Sequence, residues 1–149
     1  MDLDALLADL NAGIVDGASP ESQRRAIATL VQTVTDQDLP KLLQPAAKSY
    51  WSNAAEVLAL IGFPRLNCVG DGLVRWLQDM NWPGARRIYS LLLELDEDQL
   101  VILLEGSLQA ADKENDSFWI YWLGTLIDEK GIRSKFSTGS QTILARAER

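Results

Sequence analysis

The amino-acid sequence predicts an all-α protein, a HEAT-like stack of antiparallel helix hairpins forming a short α-solenoid. Three observations predict it. Apolar residues recur at spacings of three and four, the period of one helix face, along most of the chain. Alternating apolar-polar runs of useful length, and Asn-Gly or Asp-Gly turns between β-branched runs, are missing. A weak internal repeat places Ala55, Leu58, Ile61, Leu73 and Leu77 in register with Ala85, Ile88, Leu92, Leu104 and Leu108, about thirty residues on.

Leu3, Leu6, Leu7, Leu10 and Ile14 make the first stripe, with Gly13 and Gly17 around its end. Ser19-Pro20-Glu21 starts the second helix: a capping hydroxyl, a proline suited to the first helical position and an acid for the positive dipole end. Its buried stripe is Ile27, Leu30, Val31 and Val34. Asp36 can cap a third, short segment with Leu39, Leu42 and Leu43, held short by Pro40 and Pro45. The fourth helix runs from about Ser52 to Ile61 and stops at Gly62, with Pro64 preventing its resumption.

A fifth helix covers about Asn67 to Asp79, with Val69, Leu73, Trp76 and Leu77 inward. Asn81-Trp82-Pro83 is a corner, and Pro83 belongs in the first turn of the sixth helix, which carries Ile88, Leu91, Leu92 and Leu95. Asp96-Glu97-Asp98 opens the seventh, with Leu100, Leu103, Leu104 and Leu108. Asp112 to Asp116 is a polar loop, and Asp116 or Ser117 caps the eighth, which presents Trp119, Trp122, Leu123 and Leu126 before Gly131 ends it. The division expected is one helical domain over 1–149: an N-terminal helical pair over 1–35, a HEAT-like region over 36–131, and a Ser/Thr-rich, mobile tail over 132–149 with a last turn near Ile143 and Leu144.

Composition excludes several function classes. The 149 residues, 47% of them apolar, suffice for a core without metal or disulfide, and the single cysteine, Cys68, can form no internal disulfide. With no histidine, His-based triads, most zinc sites and haem ligation fall away. Fourteen Lys and Arg against 21 Asp and Glu give a net charge of −7, which argues against nucleic acid as the partner. Asp2, Asp4 and Asp9 interrupt the N-terminal apolar run, and no stretch approaches a spanning helix, so the expectation is a cytoplasmic protein with no membrane contact.

Leu58-x-x-Ile61-Gly62-x-Pro64, then Leu73-x-x-Trp76-Leu77-Gln78-Asp79-Met80-Asn81-Trp82-Pro83, resemble a bacterial domain-of-unknown-function family with a Trp-Leu-Gln-Asp-x-Asn-Trp-Pro signature. Asp116-x-x-Trp119-x-Tyr121-Trp122-Leu123 is similar to that family's second motif, and the resemblance spans Leu39 to Ile127. It implies a HEAT-like helical fold and no established activity. The sequence departs at Gly84, where the family more often has an aliphatic residue. Small helical proteins of this kind occur among immunity proteins of bacterial toxin systems, which is an association rather than a site argument.

Each distinctive constellation has a structural and a functional reading. Trp76, Asp79, Asn81, Trp82 and Pro83 all suit a helix corner; the alternative is a groove with Asp79 and Asn81 as polar contacts between two indoles. Trp119 and Trp122 share a helix face as core, whereas Tyr121 lies off it and reaches solvent, where tyrosine anchors interfaces. From Glu94 to Asp116 stand eight acids and one base, and from Lys130 to Arg149 five bases and one acid. The acidic run reads as a solvated edge or as a docking surface for a basic partner. Asp112 to Asp116 fails as a calcium loop, since Ser117 replaces the glycine and Leu123 the terminal glutamate. Cys68 reads as a half-buried structural thiol, and Arg24-Arg25 and Arg86-Arg87 as salt-bridging pairs.

The function expected is therefore non-catalytic protein binding without cofactor or metal. The chain is read as an immunity-type inhibitor that neutralises a basic toxin domain through Glu94, Asp96, Glu97, Asp98, Asp112, Glu114, Asp116 and Tyr121. The alternative is a HEAT-like adaptor with several partners.

Overall fold

The structure, a computed structural model, describes residues 20–43 and 51–147. The first stripe from Leu3 to Ile14, the cap Ser19, Pro45 and the last two residues lie outside the described residues. Seven α-helices and four short 3-10 turns, with no strand, make up the described residues: α1 Pro20–Thr33, α2 Trp51–Ile61, α3 Gly70–Arg75, α4 Ala85–Leu93, α5 Glu97–Lys113, α6 Ser117–Lys130 and α7 Thr138–Ala147. The all-helical class is as the periodicity predicts. No helix among the described residues is long and apolar enough to cross a membrane.

The described residues form two compact units, one from residues 20–43, 51–69 and 81–87, the other from residues 70–80 and 88–147. In the first unit α1 packs on α2, and the 3-10 turn Leu39–Leu42 packs on α2 as well. Leu30, Val34, Leu39, Leu42, Ala54, Ala55, Val57, Leu58 and Leu66 form its core. Asp36 does not cap the third segment: its carboxylate accepts from Arg65 Nε at 2.8 Å, while the same guanidinium donates to the Val34 carbonyl. Arg87 pairs with Glu56 at 2.8 Å. Cys68 is exposed rather than half-buried, its thiol turned to the Arg65 carbonyl at 3.7 Å.

Two helices differ from expectation for reasons visible in the backbone. The fifth predicted helix is broken into a 3-10 turn at Arg65–Val69, the short α3, and a second 3-10 turn at Trp76–Gln78. Gly70 and Gly72, poor helix formers, sit near the first break. Its inward residues Val69, Leu73, Trp76 and Leu77 are nonetheless all buried. Pro83 is not in the first turn of the next helix, because Gly84 adopts φ +84° and α4 begins only at Ala85.

In the second unit α5 packs on α6, α3 packs on α5, and α7 packs on both α5 and α6. The core holds Leu100, Leu104, Leu108 and Ala111 of α5 with Trp119, Leu123, Leu126 and Ile127 of α6. Where the Ser/Thr content predicts a mobile tail with one last turn, the structure has a 3-10 turn at Arg133–Lys135 and the ten-residue helix α7. Ile132, Phe136, Ile143 and Leu144 are buried, so the segment has apolar anchors that its polar composition obscures.

Candidate functional site

Seven of the eight acids from Glu94 to Asp116, all but Glu105, are placed by the two ends of α5. At its start Asp96 is the N-cap: the carboxylate accepts from the backbone N–H groups of Asp98 and Gln99 at 3.2 and 3.4 Å. At its far end the chain turns through Glu114 and Asn115, the latter at φ 54°, and Asp116 caps α6 by accepting from the Trp119 N–H at 3.0 Å. This decides between the two cap candidates in favour of Asp116, whose other oxygen accepts from Gln78 Nε2 at 3.3 Å. Asp96 and Asp116 therefore have structural work within the helices.

Much of the remaining acidity meets bases of the same unit. Lys135 Nζ lies 2.8 Å from Glu97 and 3.6 Å from Asp98. The hydrogen bond to Glu97 holds the Lys135 ammonium above the usual lysine range, against the opposing effect of desolvation. Arg146 reaches Asp112 at 3.1 Å, and Arg75 makes a forked contact to both Glu114 oxygens at 3.3 Å while its guanidinium lies 5.0 Å from the Trp119 ring centroid. The acidic run and the basic C-terminal segment, separate in sequence, thus partly neutralise each other. Glu94 and Asp98 stay exposed, Asp98 with 85% of its side chain in solvent.

Glu105, an acid of the run outside the predicted docking surface, holds α7 in place. Its carboxylate accepts from the Ser137 N–H at 2.6 Å, the Ser137 hydroxyl at 3.0 Å and the buried Ser140 hydroxyl at 2.5 Å. Burial pushes its carboxyl up, but the hydrogen bonds from Ser140 and Ser137 outweigh that and hold it below the ordinary glutamate range. A carboxyl whose folded value is depressed adds stability above its unfolded value and loses it as pH falls through the folded one. The Glu105→Ala variant is expected to lose about 1.5–3 kcal/mol at neutral pH, because the hydroxyls and amide lose a charged acceptor. Urea unfolding as a function of pH checks it: the gap between wild type and variant should narrow as pH falls below the ordinary glutamate value of 4.5. A gap that stays constant would show that the carboxylate contributes only bulk.

The aromatic residues divide sharply. Trp76 and Trp119 are buried, and the Trp119 indole N–H donates to the Val74 carbonyl at 3.1 Å. Within the first unit Trp82 meets Trp51 edge-on, ring centroids 5.5 Å apart, with Asn81 exposed and Pro83 half-buried beside it. Asp79, in the second unit, is exposed. Trp122 is only half-buried rather than core; the edge-on rings of Tyr89 and Tyr121 lie 6.3 and 5.3 Å from it. Tyr121 is 60% exposed, as its position off the stripe predicts, and Phe118, which its spacing does not single out, is 74% exposed. The Tyr89 hydroxyl donates to Glu129; burial and the Glu129 carboxylate push its phenol well above the usual tyrosine range.

A surface cleft of about 220 Å³ in the second unit is lined by Asp71, Arg75, Gly106, Ser107, Ala110 and Trp119. Among the described residues no three Asp, Glu or Cys side chains are grouped to hold a metal ion.

A family model described as Domain of unknown function (DUF5071) matches residues 50–144, more than half of the chain, and the chain belongs to that family. No curated protein and no solved structure matches it.

Proposed function

We propose that this DUF5071 member is a non-catalytic protein-binding module whose second unit takes a basic protein partner. The reading rests on where the charge lies: residues 70–80 and 88–149 carry thirteen acids and seven bases, against eight and seven in the rest of the chain. Nearly all of the net −7 is thus on one unit, which also exposes Phe118, Tyr121 and Ile102. Exposed aromatic surface in a negative field is suited to steering and then seating a positively charged protein. We take α5, α6 and α7 as a short HEAT-like stack presenting this surface, and the biological role as an immunity-type inhibitor of a bacterial toxin domain, acting in the cytoplasm.

The test is a titration of the purified chain against the product of the adjacent gene. The expected result is a single 1:1 complex that weakens with salt. The Glu94→Lys, Asp98→Lys double variant should weaken it about tenfold or more. Asp96 is left intact in this design, since removing a capping carboxylate costs about 1 kcal/mol of helix stability and would confuse the result. No complex, or salt-insensitive binding to several proteins by the double variant as well, would overturn the inhibitor reading in favour of a general adaptor.

A further inference from the structure

The solvent face of α6 holds more than acidity. Phe118, Tyr121, Trp122, Thr125 and Glu129 fall on one side of the helix by its 3.6-residue period, opposite the buried Trp119, Leu123, Leu126 and Ile127. Tyr89 joins this face from α4, edge-on to Trp122 and hydrogen-bonded to Glu129. A groove of about 100 Å³ opens beside Tyr121, walled by Thr125, Asp128 and Leu144.

The charges around this face are not equivalent. Arg133 holds both oxygens of Asp128 at 2.8 and 2.9 Å, and Lys130 donates to the Leu93 carbonyl at 2.6 Å. Glu129 accepts from the neutral Tyr89 hydroxyl, and no Lys or Arg among the described residues pairs with it. Tyr121, Trp122 and Tyr89 therefore form a run of edge-on rings along this face, and at its Tyr89 end stands a carboxylate that lacks a counter-cation among those residues. Aromatic faces attract guanidinium and ammonium groups, and a carboxylate beside them completes the complement to an arginine or lysine head with an aliphatic stem.

We propose that Tyr89, Tyr121, Trp122 and Glu129 form a docking spot for a cationic side chain, foremost an arginine, of the basic protein partner. The proposal rests on the protein-binding reading above and moves the anchor from the acidic run to the outer face of α6. Most of the acidic run is already capped, paired with Lys135 and Arg146, or bound to Arg75, so that it offers a partner steering, whereas this face offers a seat.

The test uses a synthetic (Arg-Gly)5 peptide, with a (citrulline-Gly)5 peptide as the neutral isostere, followed by amide and indole N–H chemical shifts at low ionic strength. The arginine peptide should shift the Trp122 indole N–H and the amides of Tyr89 and residues 121–129, and the citrulline peptide should not. Tyr121→Ala and Glu129→Gln should each weaken binding by about fivefold to tenfold, and Tyr121→Phe should keep it within about twofold. These side chains are on the surface, and unchanged thermal midpoints will show that the variants fold. Shifts confined to residues 94–98 and 112–116 would overturn the docking spot while leaving the reading of a basic partner standing. No shift with the arginine peptide would overturn both.

Discussion

Replacing Gly84 by alanine is expected to destabilise the first unit by about 2–5 kcal/mol, the sum of a backbone cost and a packing cost. The residue has φ +84°, a left-handed conformation that costs an L-residue with a Cβ about 1–2 kcal/mol. A Cβ there would also lie 2.7 Å from the Ala55 Cβ and 2.9 Å from the Trp51 carbonyl oxygen. Both neighbours belong to α2, one of them backbone, so neither can swing aside, and overpacking of this kind adds about 1–3 kcal/mol. Gly131→Ala separates the two costs, because Gly131 has φ 72° but nothing within 4 Å of its Cβ position. Urea unfolding midpoints should rank wild type, Gly131→Ala and Gly84→Ala in that order. A Gly84→Ala midpoint equal to that of Gly131→Ala would show that the close approach to α2 is not real. The corner at Gly84 passes directly over α2, which leaves no room for a larger residue there.

That corner also shows what the sequence conveys and what it conceals. Gly62 and Gly131 end helices where the stop signals predict, because a left-handed glycine after the last turn is a local device. Gly84 reads only as a departure from a pattern, since its reason lies in Ala55 and Trp51, some thirty residues away. The inward residues of α4 are legible from spacing alone for the same local reason: Ile88, Leu91 and Leu92, with Leu95 just beyond the helix, are all buried. The candidate site is legible in part. Tyr121 stands exposed as its place off the stripe implies, but Trp122 shares its solvent face with Phe118 and Glu129. The segregation of charge is also plain in the sequence. That Lys135 and Arg146 return to Glu97 and Asp112 is not, because ion pairs between segments more than thirty residues apart leave no periodic trace. Glu105 is hidden for the same reason: its partners Ser137 and Ser140 read as part of a polar tail until α7 places them against α5.

The second large effect is expected at Trp119, and it separates core from docking surface on one helix. Trp119→Ala should cost about 3–5 kcal/mol, the usual loss when a buried tryptophan is truncated. It removes the largest buried side chain of α6, leaves the Val74 carbonyl without its indole donor, and takes away the ring beneath the Arg75 guanidinium. Trp119→Phe keeps an aromatic ring but not the N–H, so its cost should be smaller, about 1–3 kcal/mol for the orphaned carbonyl and the lost volume. Tyr121→Ala, two residues along, removes a side chain that is 60% exposed and should change stability by less than about 0.5 kcal/mol. Urea unfolding of the three variants, with amide exchange across α5 to α7, checks the contrast. If Trp119→Ala left amide exchange in this unit unchanged, the indole would be surface rather than core. If Tyr121→Ala instead caused the larger loss, the outer face of α6 would be part of the packing and could not serve a partner. The expected order, large at Trp119 and near zero at Tyr121, is what lets one helix hold the unit together on one side and remain free to bind on the other.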